Sequence, residues 1–570
     1  MDDQTEDATS IAAGAAIFGK LKALGVDHVF ANSGTDFPPV IEGLIAAERQ
    51  GMDLPVPITC PHESVAVGMA HGYYQMSGRA QAVMLHTNVG LGNAVTGLIN
   101  AWCDQIPMFV ISGRTPVMEQ DRFGARSTPI NWGQEMFDQA GLVREVTKWD
   151  YELRFPEQVP DLLDRGYAIA NSTPKGPVYL SLPREVLCEQ TPLAGIDAPA
   201  RLTPAIVSAE PDALAHAGEL LAGAKNPLII AQRGTGSQAA FDAFAGFVDA
   251  RALPVCQYWP NTIALATDHP MYVGFSPDAF LEEADVVLVL DALAPWWPDR
   301  VKLRPDLRVI QLGPDPLFSR TPVRSYPADV TLAGETGPTL LALIDAVLAL
   351  PADEIALTAR RERIAQHAGQ QRAAAAEVAQ KGCASPMTKA WVAHCLSEAI
   401  AGRDTAVFHE LGCPFPHLTL KNHKSYFQEP HSGGLGWGLP AALGAQLAAP
   451  DKLVFATMGD GSYMFANPTV CHQVAEAYDL PVIVLVLNNG EWGAVRHGVK
   501  GLYPEGEAAK ANAVPLTALS PSPDFARTAE ASRAHAETIE DGHGLPAAIA
   551  RAIEVATTER RQVLLNIRIA

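Results

Sequence analysis

Two short apolar runs, LVFATM at 453–458 and PVIVLVL at 481–487, constrain the fold more than any other feature of the chain. Each ends in turn residues, Gly459-Asp460-Gly461-Ser462 after the first and Asn488-Asn489-Gly490 after the second. Short apolar runs bounded in this way read as buried strands. Between them a helix is expected, with Asn467 as N-cap and Pro468 at its first position. Val470, Val474, Ala477 and Tyr478 recur at helical spacing and are its expected buried face. The crossover rule makes the two strands parallel. Asp460 and Asn489 then share the carboxyl edge of one sheet, where doubly wound folds bind ligands.

The same alternation runs through the chain. Strands are expected at 56–60, 82–86, 108–112 and 177–182, with a helix at 64–76. A Pro/Ala-rich stretch at 191–204 reads as a linker. The pattern restarts with strands at 227–231, 284–290 and 307–312. A segment rich in Ala, Arg, Gln and Glu at 351–387 reads as a solvated helix or connector. Strands at 405–409, 453–458, 482–487 and 562–569 complete the count. This predicts an α/β protein of three doubly wound parallel-sheet domains, over 1–191, 205–350 and 385–570.

Composition narrows the function. Hydrophobic residues make up 48% and charged residues 18% of the 570, enough to bury large cores. Lys plus Arg is 42 and Asp plus Glu is 63, a net charge of −21. So acidic a chain argues against nucleic acid and anionic membranes as partners. The eight cysteines form no C-x-x-C pair and fit reduced thiols. MDDQTEDATS lacks the pattern of a signal peptide, and no apolar run is long enough to span a bilayer. The expectation is a cytoplasmic protein.

Asp, Asn and a backbone carbonyl are hard oxygen donors suited to Mg²⁺ that also holds phosphate oxygens. Gly461 admits close backbone approach, and nearby NH groups can meet a diphosphate. Each turn is commonplace alone. Together, in strand–helix–strand context, they resemble the GDG…NN signature of thiamine-diphosphate-dependent decarboxylases and carboligases, the family of benzoylformate decarboxylase and acetolactate synthase. The resemblance implies Asp460, Asn489 and the backbone of Glu491 as Mg²⁺ ligands, with Gly461 and Ser462 beside the diphosphate. The span between the motif's ends is about two residues longer than in such relatives, and the extra residues fall near 464–467.

Further motifs extend the resemblance over nearly the whole chain. Cys60-Pro61-His62-Glu63, followed by Ala-x-Gly-Met-Ala-x-Gly-Tyr at 66–73, matches the family's activating glutamate. Glu63 would hydrogen-bond N1′ of the aminopyrimidine, work suited to a desolvated carboxyl. The alternative is a Glu placed in a helix's first turn by the helix dipole. The run from Val83 to Asn93, with Asn93 opening a helix, resembles the benzoylformate branch. There His86 would be a catalytic acid/base and Thr35 of Gly34-Thr35-Asp36 would hold substrate. Gly433-Gly434-Leu435-Gly436 matches the segment that bends the cofactor, with the Gly433 carbonyl on its 4′ amino group and Leu435 as the prop. Gly412 and Cys413, in His409-Glu410-Leu411-Gly412-Cys413, match the diphosphate-side loop.

Two aromatic positions of the benzoylformate branch read Glu429 and Gly498 here, which disfavours a phenyl substrate. Some relatives hold FAD around the middle domain. The segment 234–239 reads GTGSQA, without the full G-x-G-x-x-G, and a structural turn is the better reading there. The family's sites lie between subunits, so a homodimer or homotetramer is implied, acting on a 2-keto acid or aldehyde. Decarboxylation with or without carboligation leads. An FAD-bearing carboligase or oxidase, a hydroxyketone or diketone lyase, and a non-catalytic regulatory protein remain open alternatives.

Overall fold

The strands Gln81–Leu85, Val286–Leu290 and Ile483–Asn488 are buried at every residue. A strand with no polar face must be covered on both sides, which is the environment of a parallel sheet between helices. The computed structural model, which describes residues 9–570, has that architecture. Contacts divide it into two units, one running to Ala205 and including Pro430–Pro450, the other comprising Ile206–Glu429 and Asp451–Ala570.

The first unit holds a six-stranded parallel sheet, in the order Val56–Thr59, His28–Ala31, Gln81–Leu85, Met108–Arg114, Pro177–Pro183 and Asp150–Glu152. Its helix Glu63–Ser77 packs on Gly438–Ala448 with almost no side chain between them. A Cβ on Gly72 would lie 1.9 Å from the Ala441 carbonyl, and one on Gly444 would lie 1.9 Å from that of Met69. This contact is why Pro430–Pro450 groups with the first unit, although it falls within the expected 385–570 domain. The expected linker also begins in a strand, since Gln190–Pro192 pairs antiparallel with Ser10–Ala12. Lys20 is fully buried, with Nζ 2.8 Å from Asp164 and 3.0 Å from the Ala198 carbonyl.

The second unit holds an eleven-stranded sheet. Five strands come from the middle of the chain, from Pro227–Arg233 to Val330–Ala333, and six from Thr405–Glu410 onward. The two sets meet in one antiparallel pair, Thr262↔Phe427; every other pairing in the sheet is parallel. The polar stretch 351–387 contains one helix, Glu354–Lys381, capped by the Asp353 carboxylate on Ile355 and Ala356 NH. Gly234 and Gly236 adopt φ of +69° and +80°, and Arg233 pairs with buried Asp291, so this segment forms a turn. All eight cysteines are free thiols. Among the described residues no helix is long and apolar enough to cross a membrane.

The helix after Leu453–Gly459 departs from expectation. A short helix, Asp460–Phe465, comes first, and the main one is Pro468–Ala477. Asn467 precedes it at φ +55° and caps nothing with its side chain. The buried face is Cys471, His472, Val474 and Ala475, while Ala477 is exposed. A histidine occupies that face because both ring nitrogens find partners, the Tyr463 hydroxyl at 2.8 Å and Gln562 Oε1 at 2.7 Å.

Candidate active site

Glu63 is the first residue of its helix and only 8% exposed. His62 caps that helix by accepting from the Ser64 NH. Asn93 Nδ2 donates to Glu63 Oε2 at 3.0 Å, and a Cβ on Gly90 would come within 3.0 Å of Oε1. One carboxylate oxygen is thus fixed by an amide, and the other lies against a residue without a side chain. Asn93 does not open its helix as expected. The helix runs Thr87–Cys103 and starts directly after His86, so Asn93 faces Glu63 from its interior.

His86 ends the strand Gln81–Leu85 and is half-buried. Its Nδ1 is 2.5 Å from Asp36 Oδ1, and Gln134 Nε2 lies 3.1 Å from its Nε2. The Asp36 hydrogen bond raises the imidazole pKa above its ordinary value; burial opposes this, and Glu63 adds to the rise. Thr87 is buried at φ +41°, a costly conformation for a β-branched residue, and its NH donates to Asp36 Oδ2 at 3.3 Å. Thr87 Oγ1, Asn88 Oδ1 and Gln134 Oε1 are buried without partners, so polar groups line this region. Thr35 is exposed, and its neighbour Asp36 is the residue that reaches the ring.

The segment 432–435 is organised by Asn100, two turns beyond Asn93. Its Oδ1 accepts from the Ser432 hydroxyl at 2.7 Å and the Gly434 NH at 3.2 Å, and its Nδ2 donates to the Gly434 carbonyl at 2.8 Å. Gly433 has φ +69°, and Leu435 is half-buried.

In the second unit, Leu453–Gly459 and Ile483–Asn488 lie side by side and parallel. Asp460 is 3% exposed, and its Oδ2 accepts from the Gly490 NH at 2.9 Å. Burial raises its pKa. The Gly490 NH bond to Asp460 draws the end of one strand to the turn of the other, and within that turn Asn489 Oδ1 accepts from the Glu491 NH at 3.3 Å. The Glu491 side chain is paired with Arg496, and its carbonyl accepts from the Gly493 NH at 2.9 Å. Ser462 Oγ is buried with no partner. Trp492 lies against Gly461, where a Cβ would fall 2.2 Å from the indole, and Phe465 meets its edge.

Gly412 touches backbone: a Cβ there would lie 2.4 Å from the carbonyl carbon of Thr457. Cys413 is buried and its thiol pushed up to about 12 by burial, so it is a packing thiol rather than a thiolate. Lys389 Nζ donates to the Leu411 carbonyl at 3.0 Å. Glu429 has one oxygen, Oε2, buried without a partner; burial and the nearby Glu410 push its carboxyl up to about 8. Asp36, Gln134 and Asn100 are the residues that sequence reasoning left without a role. Asp36 sat inside the Gly-Thr-Asp motif as its only signal.

Residues 11–142, 214–343 and 411–567 match the N-terminal TPP binding, central and C-terminal TPP binding domains of thiamine pyrophosphate enzymes. The chain belongs to the thiamine pyrophosphate enzyme family. It is a thiamine-diphosphate-dependent enzyme of the decarboxylase and carboligase type, as the motifs implied. A Pseudomonas aeruginosa protein named "Probable 2-ketoarginine decarboxylase AruI" is 29% identical, covering 91% of this chain and 87% of its own. Benzoylformate decarboxylase of the same species is 27% identical, covering 84% and 85%. The solved 4-hydroxybenzoylformate decarboxylase of Rhodococcus jostii shares the fold, with a TM-score of 0.77 at 24% identity over 98% of this chain and 99% of that one.

Proposed function

We propose that the chain decarboxylates a 2-keto acid whose side chain carries hydrogen-bond donors or positive charge. The observation that carries this is Glu63, a carboxylate shielded from water and held by Asn93, with His86 in the same unit. Bound thiamine diphosphate supplies the electron sink that accepts the bonding pair when CO₂ leaves.

The residues fit that group. Ser462 Oγ has an unmet hydrogen-bonding capacity beside Asp460, and Asp460, Asn489 and the Glu491 carbonyl form a hard-oxygen set for Mg²⁺. Among the described residues no cluster of three or more His, Cys, Asp or Glu is arranged for a metal, so the proposed set relies on one carboxylate, an amide and a carbonyl. Glu63 holds or releases the proton at the aminopyrimidine N1′. His86 exchanges a proton with the reacting substrate. The Asn100-clamped turn presents the Gly433 carbonyl and Leu435 to the cofactor.

Glu63 of one copy would face Asp460 of a second, so the working form is at least a homodimer. Glu429 supports the substrate class, because its unpartnered oxygen would accept from a guanidinium or amine and disfavours a phenyl ring. No step in this reading calls for FAD.

The test is a panel of 2-keto acids with guanidino, amino, aliphatic and phenyl side chains, incubated with thiamine diphosphate and Mg²⁺. CO₂ and products are followed by NMR, with and without an aldehyde acceptor. Glu63→Gln is expected to lower turnover at least ~100-fold while folding normally. CO₂ release that survives the substitution, or a phenyl substrate turned over best, would refute the respective half of the proposal.

A further inference from the structure

We infer that Asp36 is the positioning residue of His86: its carboxylate fixes the imidazole through Nδ1, making Nε2 the atom that exchanges protons, with Gln134 as a reversible cover on Nε2. This rests on the decarboxylase reading of the site, and it adds two residues to which the family signatures gave no role.

The geometry is built, not incidental. Asp36 is 5% exposed and uses both oxygens, Oδ1 on the ring at 2.5 Å and Oδ2 on the Thr87 NH at 3.3 Å. One carboxylate thereby holds the imidazole and the left-handed residue that follows it, where the chain turns from strand into helix. Two glycines make the room. A Cβ on Gly113 would lie 1.5 Å from Asp36 Oδ2, and a Cβ on Gly34 would lie 2.2 Å from the His86 ring. Any larger residue at either position would displace the pair.

A carboxylate can only accept, so Nδ1 carries its hydrogen in either ring state. In the neutral ring Nε2 is an acceptor, and the Gln134 amide nitrogen donates to it at 3.1 Å. In the charged ring Nε2 is a donor, and Gln134 Oε1, buried without a partner, is the acceptor that an amide rotation would bring to it. Gln134 can therefore satisfy both protonation states without moving its backbone, and a substrate oxygen arriving at Nε2 displaces one hydrogen bond. The charged groups facing the ring are Asp36 and Glu63, and both favour the imidazolium. Both charges therefore favour a proton on Nε2, the one that would be given to the product carbon and taken back later.

The experiment follows [¹³Cε1]-histidine resonances of the full chain through a pH titration, with and without thiamine diphosphate and Mg²⁺. His86 is assigned by the signal that His86→Gln removes. Asp36→Asn keeps the shape against Gly113 and removes the charge. It should lower the His86 midpoint by about one pH unit or more, roughly a tenfold loss of charged ring near that pH. The pH profile of kcat should move by the same amount, with KM for the keto acid changed less.

Gln134→Glu, which sets a second carboxylate on Nε2, should raise the midpoint, and it serves if Asp36→Asn does not fold. A midpoint unmoved by both variants overturns the inference. Because the midpoint is read without substrate, it is independent of the function proposed above. Failure of every keto acid to turn over would sink that function and leave the shift intact, whereas an unmoved midpoint with Glu63-dependent turnover would sink only the role of Asp36.

Discussion

Gly72→Ala tests the contact that ties Gly438–Ala448, and with it the Gly433–Leu435 turn, to the helix bearing Glu63. The new Cβ would lie 1.9 Å from the Ala441 carbonyl oxygen, whereas ordinary contact begins at 3.4 Å. The difference, 3.4 − 1.9, is 1.5 Å of forced separation against backbone, which cannot rotate away. Overpacking of this kind costs about 3 kcal/mol. Alanine is the better helix former by about 1 kcal/mol, so the net loss is about 2 kcal/mol. For a unit of this size that lowers the thermal midpoint by roughly 4–8 °C. Asn100 holds Ser432 and Gly434 from a third helix, so a shifted Gly438–Ala448 also distorts that turn. Thiamine diphosphate should bind more weakly than the stability loss alone requires. Thermal melts of the cofactor-free protein and calorimetric titration with thiamine diphosphate give the two readouts. Gly369→Ala is the control, since it lies in a helix with nothing within 4 Å and should be neutral or stabilising. A Gly72→Ala protein that melts and binds cofactor like the parent would refute the close helix contact.

Two further outcomes follow from buried charge. Asp164→Ala strands the Lys20 ammonium in the core and should destabilise by about 3–5 kcal/mol, and the double substitution Lys20→Met with Asp164→Leu should recover most of that in urea titrations. Glu429 has a folded pKa of about 8, raised above the unfolded carboxyl value. The folded state then binds more protons than the unfolded one between those values. Its contribution is complete at acid pH and is lost as pH rises through about 8. Glu429→Gln should therefore stabilise the protein by about 2–4 kcal/mol at alkaline pH and flatten the pH dependence of the thermal midpoint; an unchanged slope would refute it.

Much of the fold lay in local pattern. The fully apolar runs at 82–85, 286–290 and 482–487 read as central strands, because each residue's preference and its burial agree. Glu63, Asp460 and Asn489 were legible for a related reason. Each sits where a strand ends and the chain must turn, and the turn residues around it mark the place. The helix at 468–477 was legible as a helix and its buried face only at Val474, because His472 joins the core through Tyr463 and Gln562, the latter 90 positions away in sequence.

The sequence by itself determined which segments are strands and which strand ends bear the candidate site residues, since both are written in the spacing of neighbouring residues. Only the tertiary structure decided that Asn93 holds Glu63, that Asn100 clamps the turn at 432–434, and that Asp36 rather than Thr35 reaches His86. Those partners lie 30, 332 and 50 residues apart along the chain, and a pairing between distant side chains is fixed by how the elements pack, which no local periodicity records.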